Sequence, residues 1–148
     1  MRAVLQRTTA ASVEVEGAIV GEIGTGLVVF LGIEEGDMEA DLIYICDKIV
    51  GIRVFDDVNE IPNLSVQDIG GSVLLISQFT LCADARKGKR PSYIKAARPE
   101  QAIPLYEAAI ARIGASVPVQ HGVFQAYMQV RLVNDGPHTT LLDSRKAF

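Results

Sequence analysis

The chain has 148 residues, of which 49% are hydrophobic and 22% charged, and its formal net charge at pH 7 is −4. This composition excludes a disordered chain, and the negative charge argues against a protein that coats nucleic acid without selection. No apolar stretch is long enough to cross a bilayer, and the start of the chain shows no export signal. We therefore expect one domain over residues 1–148, located in the cytoplasm, with no membrane association.

The first half of the chain predicts strands followed by one helix. Apolar residues that alternate or run continuously predict four strands, at 2–7, 12–16, 18–23 and 27–33. Asp37 is a candidate N-cap for a helix over 37–50, and Gly51 is placed to end it.

The second half predicts two more strands, at 52–56 and 72–81, and then a second helix. Pro99 suits the first turn of that helix and Gly114 suits its end, although Pro104 interrupts its hydrogen bonding. The tail supplies two or three further strands. Since no βαβ unit repeats, the pattern indicates an α+β fold with a mixed β-sheet or partial barrel and two main helices.

Metal and cofactor chemistry is not indicated. Cys46 falls in an apolar helical pattern, which is typical of a buried thiol, and no CxxC or clustered histidine provides a metal-ligand spacing. We expect no metal and no cofactor.

A cationic loop interrupts this otherwise slightly acidic chain. Four basic side chains surround a glycine in RKGKRP: Arg86, Lys87, Lys89 and Arg90. A run of charge is most often a solvated loop, but such a loop also suits phosphate groups, with binding that weakens as salt rises.

Two other segments lie where strands end, and strand ends often carry chemistry. One is SQFTL, 77–81, which by itself also fits a buried strand with a half-polar face. The other is Gly136-Pro137 within LVNDGPHTT, which interrupts a strand pattern with a residue that cannot donate to a ladder. An ordinary turn is the alternative explanation for a Gly-Pro pair.

The pairing of SQFTL and ADARKGKRPS with MQVRLVNDGPHT resembles the D-aminoacyl-tRNA deacylases, also called D-tyrosyl-tRNA deacylases. MRAVLQR, GEIGTGLVVFLGI and NLSVQDIGG extend the resemblance, in order, over nearly the whole chain. The resemblance implies a homodimer that hydrolyses the ester between a D-amino acid and the 3'-terminal adenosine of tRNA.

The resemblance also implies how such an enzyme selects its substrate. In the family the Gly-Pro pair, here Gly136 and Pro137, is cis and reaches into the partner's active site, where two carbonyl oxygens face the substrate's α-amino group. A group held by its ammonium, its ester and its Cα has a fixed handedness, so an L side chain clashes with the wall. Glycine has no side chain to exclude, and we expect glycyl-tRNA to be cleaved as well.

For the reaction itself, the family places SQFTL along the ester, which here implicates Ser77, Gln78, Phe79 and Thr80. Backbone N–H groups of Gln78 and Phe79 are candidate oxyanion donors, each worth about 3 kcal/mol. Thr80 is a candidate nucleophile, but no histidine or lysine near it in sequence would activate it. Water assisted by the tRNA 2'-hydroxyl is therefore favoured over an acyl-enzyme.

Two further residues match family positions near the site. Arg7 matches an arginine that braces the Gly-Pro loop, for which its planar fork is suited, and Met128 matches a position beside the substrate. This chain departs from the family pattern at three positions, Cys82, Tyr127 and His138, which puts substrate preference in doubt.

Two other classes of function remain open at this point. A non-catalytic RNA-binding module would need the basic loop but not a shaped Gly-Pro pair. A thiol hydrolase would use Cys82 with His121 or His138, and would require an exposed, activated thiol.

Overall fold

A computed structural model describes residues 1–148. Eight strands are formed: β1 Arg2–Val15, β2 Ala18–Ile23, β3 Gly26–Gly32, β4 Phe55–Asp56, β5 Pro62–Leu64, β6 Ser72–Ser77, β7 Val119–His121 and β8 Met128–Asp143. The helices are α1 Glu39–Gly51 and α2 Pro99–Gly114, and a short 3-10 helix covers Phe79–Cys82. No helix is both long and apolar enough to cross a membrane.

The long strand β1 organises a six-stranded mixed sheet with the order β2-β1-β3-β6-β7. One edge of β1 pairs first with β3, through residues 2–8, and then with β2, through residues 11–15. The other edge pairs with β8 along almost its whole length. A Cβ added to Gly21 in β2 would lie 3.1 Å from the carbonyl oxygen of His121 in β7, so the two ends of the sheet nearly close a barrel.

Each face of the sheet packs against its own core. Leu27, Val29 and Leu31 of β3 face the larger core, which also includes the buried faces of α1 and α2. Val28 in β3 and Leu74 in β6 face a smaller core, on which Met128 and other residues of β8 pack. Burial on both faces explains why β3 is a continuous apolar run.

These observations confirm the predicted fold class and the helix over 99–114, which contains Pro104 as an internal proline. Several predicted boundaries were wrong. The segments 2–7 and 12–16 are one continuous strand, and the strand expected over 52–56 is reduced to Phe55–Asp56. The strand expected over 72–81 ends at Ser77, after which the chain turns into the 3-10 helix.

The predicted N-cap was also wrong, because Asp37 is used elsewhere. Its carboxylate accepts hydrogen bonds from the Met1 amino group and from the Glu34 backbone N–H, both at 2.7 Å. It also pairs with Arg145 at 3.0 Å. The N-cap of α1 is instead Met38, and the helix begins at Glu39. The Met38 N–H donates to the side chain of Asp41.

Candidate active site

A pocket of about 500 Å³ opens where β6 ends. Nine of its 13 lining residues are hydrophobic. The lining comes from three segments of the chain: the end of β6 with the start of the 3-10 helix, the residues that lead into α2 together with its first residue, and the stretch 124–130. A mostly apolar cavity of this size with a few polar groups is the usual form of a small-molecule site. Ser77, Gln78, Phe79 and Met128 all line it.

The 3-10 helix packs unusually close to β3. A Cβ added at Gly32 would lie 2.9 Å from the Leu81 Cβ and 3.0 Å from the Gln78 carbonyl oxygen, so only glycine fits at this position. At the far end of the helix, the Arg2 guanidinium donates to the Leu81 carbonyl oxygen at 3.0 Å. Both contacts fix the orientation of the helix beside the pocket.

The backbone N–H of Gln78 was a candidate oxyanion donor, and the structure contradicts this. It donates to the Leu31 carbonyl oxygen at 2.8 Å, which extends the β3–β6 pairing by one residue. Phe79 and Thr80 open the 3-10 helix, and N–H groups in a first helical turn have no acceptor within their own helix. The pair able to serve as donors is therefore Phe79 and Thr80.

Thr80 is poorly placed to be a nucleophile. Its hydroxyl oxygen accepts a 2.5 Å hydrogen bond from the Gln78 side-chain amide. An amide is not a base, so this contact orients the hydroxyl without activating it.

Two residues of the 124–130 wall of the pocket had been singled out in the sequence, Met128 as a family site position and Tyr127 as a departure from the family pattern. A Cβ on Gly122 would lie 2.4 Å from the Met128 sulfur, so this glycine leaves room for the methionine beside the pocket. Phe124 and Tyr127 also line the pocket, with Gln125 between them at a φ of 64°. Neither periodicity nor charge marks these residues, because the segment between β7 and β8 is a loop.

The Gly136-Pro137 pair lies on a bulge within β8. The expected cis peptide bond is present. In the pairing of β8 with β1, Thr8 lies opposite Asn134 and Gln6 opposite Thr139, so four residues of β8, 135–138, face Arg7 alone. The extra residues project from the sheet, which is how a β-bulge re-aims part of a strand.

Arg7 holds the base of this bulge. Its Nε lies 2.8 Å from an Asp135 carboxylate oxygen and 3.2 Å from the Asp135 carbonyl oxygen. Its Nη1 donates to the Val54 carbonyl oxygen at 2.8 Å and to Asp56 at 3.1 Å. The Arg7 side chain is 9% exposed, whereas Gly136 and Pro137 are exposed to solvent. The sequence offered no signal for Val54, Asp56 or Asp135 as partners, because they are distant from Arg7 along the chain.

Within one chain the bulge and the pocket are separate. None of the residues 135–138 lines the pocket, and neither does Arg7. The structure thus brings together Ser77, Gln78, Phe79 and Met128, and leaves Arg7, Gly136 and Pro137 as a second group.

The basic loop is fixed at its base and exposed at its tip. Two backbone hydrogen bonds join Asp84 and Ser92, at 2.8 and 2.9 Å. Arg86 pairs with Asp84, and this ion pair lowers the pKa of the Asp84 carboxyl well below its usual range. The remaining cations, Lys87, Lys89 and Arg90, are exposed.

Cys82 cannot be the nucleophile of a thiol hydrolase. Its side chain is fully buried, its sulfur lies 3.5 Å from the Ile33 carbonyl oxygen, and burial raises the pKa of its thiol to about 11. A protonated, inaccessible thiol does not attack an ester. No group of three or more histidine, cysteine, aspartate or glutamate side chains is arranged to hold a metal ion.

Comparison with known proteins decides the family. The family described as D-Tyr-tRNA(Tyr) deacylase matches residues 4–143. The chain belongs to this family. D-aminoacyl-tRNA deacylases of Desulfitobacterium hafniense and Koribacter versatilis are each 56% identical to it over the full length of both chains. The corresponding protein of Porphyromonas gingivalis is 52% identical over 97% of both. Membership of the deacylase family makes the chain an enzyme of the hydrolase class.

Solved structures agree with the fold. One described as c-Myc DNA Unwinding Element Binding Protein superposes with a TM-score of 0.92, at 38% identity over 97% of this chain and 98% of that one. Another, described as a probable eukaryotic D-amino acid tRNA deacylase, superposes with a TM-score of 0.82 over 95% of this chain and 97% of that one. At 15% identity the second supports the deacylase fold alone.

Proposed function

We propose that this single-domain protein acts in the cytoplasm as a chiral proofreading enzyme of translation. It hydrolyses the ester of D-aminoacyl-tRNA, releases the free D-amino acid and tRNA, and rejects L-aminoacyl groups. The observation that carries the proposal is the pair of elements described above: an apolar pocket beside the start of a 3-10 helix, and an exposed Gly136-Pro137 bulge braced by buried Arg7.

In this proposal the working enzyme is a homodimer in which the bulge of each chain completes the pocket of its partner. Support comes from the separation of bulge and pocket within one chain. Two large apolar side chains on β8, Val133 and Leu141, are 58% and 56% exposed on either side of the bulge. Exposed apolar side chains beside a projecting backbone segment are typical of a protein–protein contact.

Selection rests on backbone acceptors and not on a side-chain contact. Carbonyl oxygens of Gly136 and Pro137 hold the α-amino group of the substrate, and this fixes the direction in which its side chain points. The side chain of a D-amino acid then points away from the wall of the pocket, whereas that of an L-amino acid points into the wall. Rejection by a clash discriminates more strongly than the loss of an attractive contact. Glycyl-tRNA passes the same filter because it has no side chain.

For the chemical step, the N–H groups of Phe79 and Thr80 stabilise the oxyanion that develops on the ester carbonyl. Each donor contributes about 3 kcal/mol to the stability of the transition state. Water attacks the carbonyl, assisted by the 2'-hydroxyl of the terminal adenosine. In support, the pocket is lined by no histidine, lysine or carboxylate. We expect Thr80→Ala to keep most of the activity, and a trapped ester on Thr80 would contradict this step.

The basic loop binds the tRNA backbone in this proposal. A groove of about 510 Å³ in this loop is lined by Arg86, Lys87 and Arg90, together with Asp84 and Ser92. Lys89, between Lys87 and Arg90 in the chain, is exposed. Exposed lysine and arginine side chains bind phosphates without reading sequence.

The experiment is hydrolysis of D-tyrosyl-, L-tyrosyl- and glycyl-tRNA, measured side by side with the purified protein. We expect D-tyrosyl- and glycyl-tRNA to be hydrolysed, and L-tyrosyl-tRNA to remain intact at the same enzyme concentration. Ala126→Trp, which fills the pocket, serves as one inactive control, and Pro137→Ala, which changes the bulge and no pocket-lining residue, as the other. Equal hydrolysis of the D and L esters would rule out the chiral filter, and intact glycyl-tRNA would rule out its extension to glycine.

A further inference from the structure

Two aromatic side chains form an exposed pair at the mouth of the pocket. The rings of Phe79 and Tyr93 meet edge to face, with centroids 5.2 Å apart and an interplanar angle of 69°. Phe79 is 58% exposed although it also lines the pocket, whereas Tyr93 is 40% exposed and lies outside the lining. Exposed aromatic rings next to a pocket offer a flat surface on which a ligand can pack.

The backbone holds Tyr93 in place before any ligand arrives. The Ala96 N–H donates to the Tyr93 carbonyl oxygen at 3.0 Å, which closes a turn. This turn is attached to the end of β3 by two more bonds, from Ala97 to Ile33 and from Glu35 to Lys95, both at 2.9 Å. A ring on such a fixed segment loses little conformational entropy when it binds a ligand.

Three surfaces follow one another along this part of the chain. The basic loop closes at Ser92, Tyr93 is the next residue, and Ala96 and Ala97 already line the pocket. Exposed cations, an aromatic pair and the pocket therefore lie in a continuous order. Positive charge that follows the backbone, together with rings that stack on bases, is the common design of single-stranded nucleic acid sites.

The size of the pocket limits what it holds. A volume of about 500 Å³ suits a ligand of drug-like size, such as one nucleoside with its esterified amino acid. The unpaired nucleotides that precede that nucleoside must then lie outside, at the mouth, where the aromatic pair is found.

We propose that Phe79 and Tyr93 form a stacking platform for the unpaired nucleobases that precede the reacting 3'-terminal nucleoside of tRNA. The proposal rests on the function proposed above and adds a binding site to it. Base and ring stack without regard to sequence, so the platform accepts every tRNA that shares this single-stranded end.

Two measurements test the platform, one of binding and one of turnover. The first is the affinity of the protein for a short, unacylated, single-stranded RNA ending in CCA. The second is KM for D-tyrosyl-tRNA compared with KM for the D-tyrosyl ester of adenosine, which lacks the preceding nucleotides. Each is made with the wild-type protein, Tyr93→Ala and Tyr93→Phe.

Ile94→Ala is the matched control. Ile94 is 83% exposed beside Tyr93, so its removal takes away apolar surface but no aromatic ring. If only general apolar contact mattered, this variant would weaken binding as much as Tyr93→Ala.

We expect Tyr93→Ala to weaken RNA binding and to raise KM for D-tyrosyl-tRNA by about tenfold, within the range of about 5- to 150-fold that stacking on one ring supplies. KM for the adenosine ester should stay within about twofold of wild type. Tyr93→Phe and Ile94→Ala should also stay within about twofold in both measurements.

Three results would overturn the proposal. The first is an equal change in KM for both substrates, which would place Tyr93 in the pocket itself. The second is an equal loss in Ile94→Ala. The third is dissociation of a dimer in Tyr93→Ala, seen by sedimentation, which would make the aromatic pair a contact with a second copy. RNA binding that depends on Tyr93 without any turnover would instead contradict the function proposed above and leave the platform intact.

Discussion

The pocket and the Gly136-Pro137 bulge differ in what surrounds them. The pocket is built and half-enclosed by residues of one chain, and its apolar lining belongs to the packed structure. The bulge is exposed, and the charged group that supports it, Arg7, is buried beneath it. The hydrogen bonds of this buried cation go to Asp135 in the bulge and to Val54 and Asp56. This difference is the basis of the proposal that the bulge acts on the pocket of a partner chain.

The largest effect is expected when the support of the bulge is removed. Arg7→Ala leaves the carbonyl oxygens of Val54 and Asp135 without their partner, which costs about 2 kcal/mol of stability. Activity on D-tyrosyl-tRNA should fall by at least about tenfold in kcat, because the bulge is no longer held in place. Urea unfolding and steady-state kinetics measure the two effects.

Arg7→Lys sharpens this test. A lysine keeps the charge but lacks the planar fork that reaches Val54 and Asp135 together, so we expect it to recover less than half of the lost activity. Wild-type activity in Arg7→Ala, at a temperature where the variant is folded, would mean that the bulge is not part of the active site.

A smaller effect is expected from the basic loop, on the pocket side of the molecule. Lys87→Ala and Arg90→Ala should each raise KM for D-tyrosyl-tRNA several-fold at low salt, and each should lower the slope of log affinity against log salt by about 1. Arg86→Ala should change the slope by less than half as much, because Arg86 is already paired with Asp84. A slope that changes most in Arg86→Ala would show that this pair opens to bind phosphate.

The smallest effect is expected at the thiols. Burial raises the pKa of both Cys46 and Cys82 to about 11, from an ordinary value of 9.0. At neutral pH iodoacetamide should leave both thiols and the activity unchanged until the protein is unfolded. Rapid inactivation by iodoacetamide under native conditions would restore the thiol mechanism.

The same pKa shifts set a pH dependence of stability. Between pH 9 and 11 the folded state holds the thiol protons and the unfolded state releases them. The stability that the buried thiols contribute is therefore complete below pH 9 and is lost as pH rises to 11. A double variant, Cys46→Ala with Cys82→Ala, should show a shallower fall in melting temperature over this range than the wild type.

The fold could be predicted from the sequence wherever local pattern and tertiary burial agree. The apolar run of β3 and the Pro99–Gly114 helix are examples, because burial on both faces and a first-turn proline leave clear signals. The sequence could not show that Asp37 is not the N-cap of α1, since its carboxylate is bound by the Met1 amino group 36 residues away. Local propensity carries no information about such a contact.

The candidate site was also predictable only in part, because local sequence motifs mark some of its residues and contacts between distant residues decide the others. SQFTL and Gly136-Pro137 carry the resemblance to the deacylases, and the first lines the pocket through Ser77, Gln78 and Phe79. The donor assignment of the Gln78 N–H failed because it depends on where β6 stops pairing with β3, and one added hydrogen bond to Leu31 changes which N–H groups are free. Partners of Arg7 such as Val54 become visible only once the chain is folded.

The separation of pocket and bulge is tested most directly by combining two inactive chains. Ala126→Trp blocks the pocket and leaves the bulge intact, whereas Gly136→Leu adds bulk to the exposed bulge and leaves the pocket intact. The two variants are co-expressed with different tags, and the heterodimer is purified and assayed on D-tyrosyl-tRNA. If the bulge of one chain completes the pocket of the other, the intact bulge of the Ala126→Trp chain meets the intact pocket of the Gly136→Leu chain. The heterodimer then contains one intact site and regains about half of the wild-type activity. A heterodimer as inactive as either parent would contradict the account, because it would place pocket and bulge of the same chain in one site.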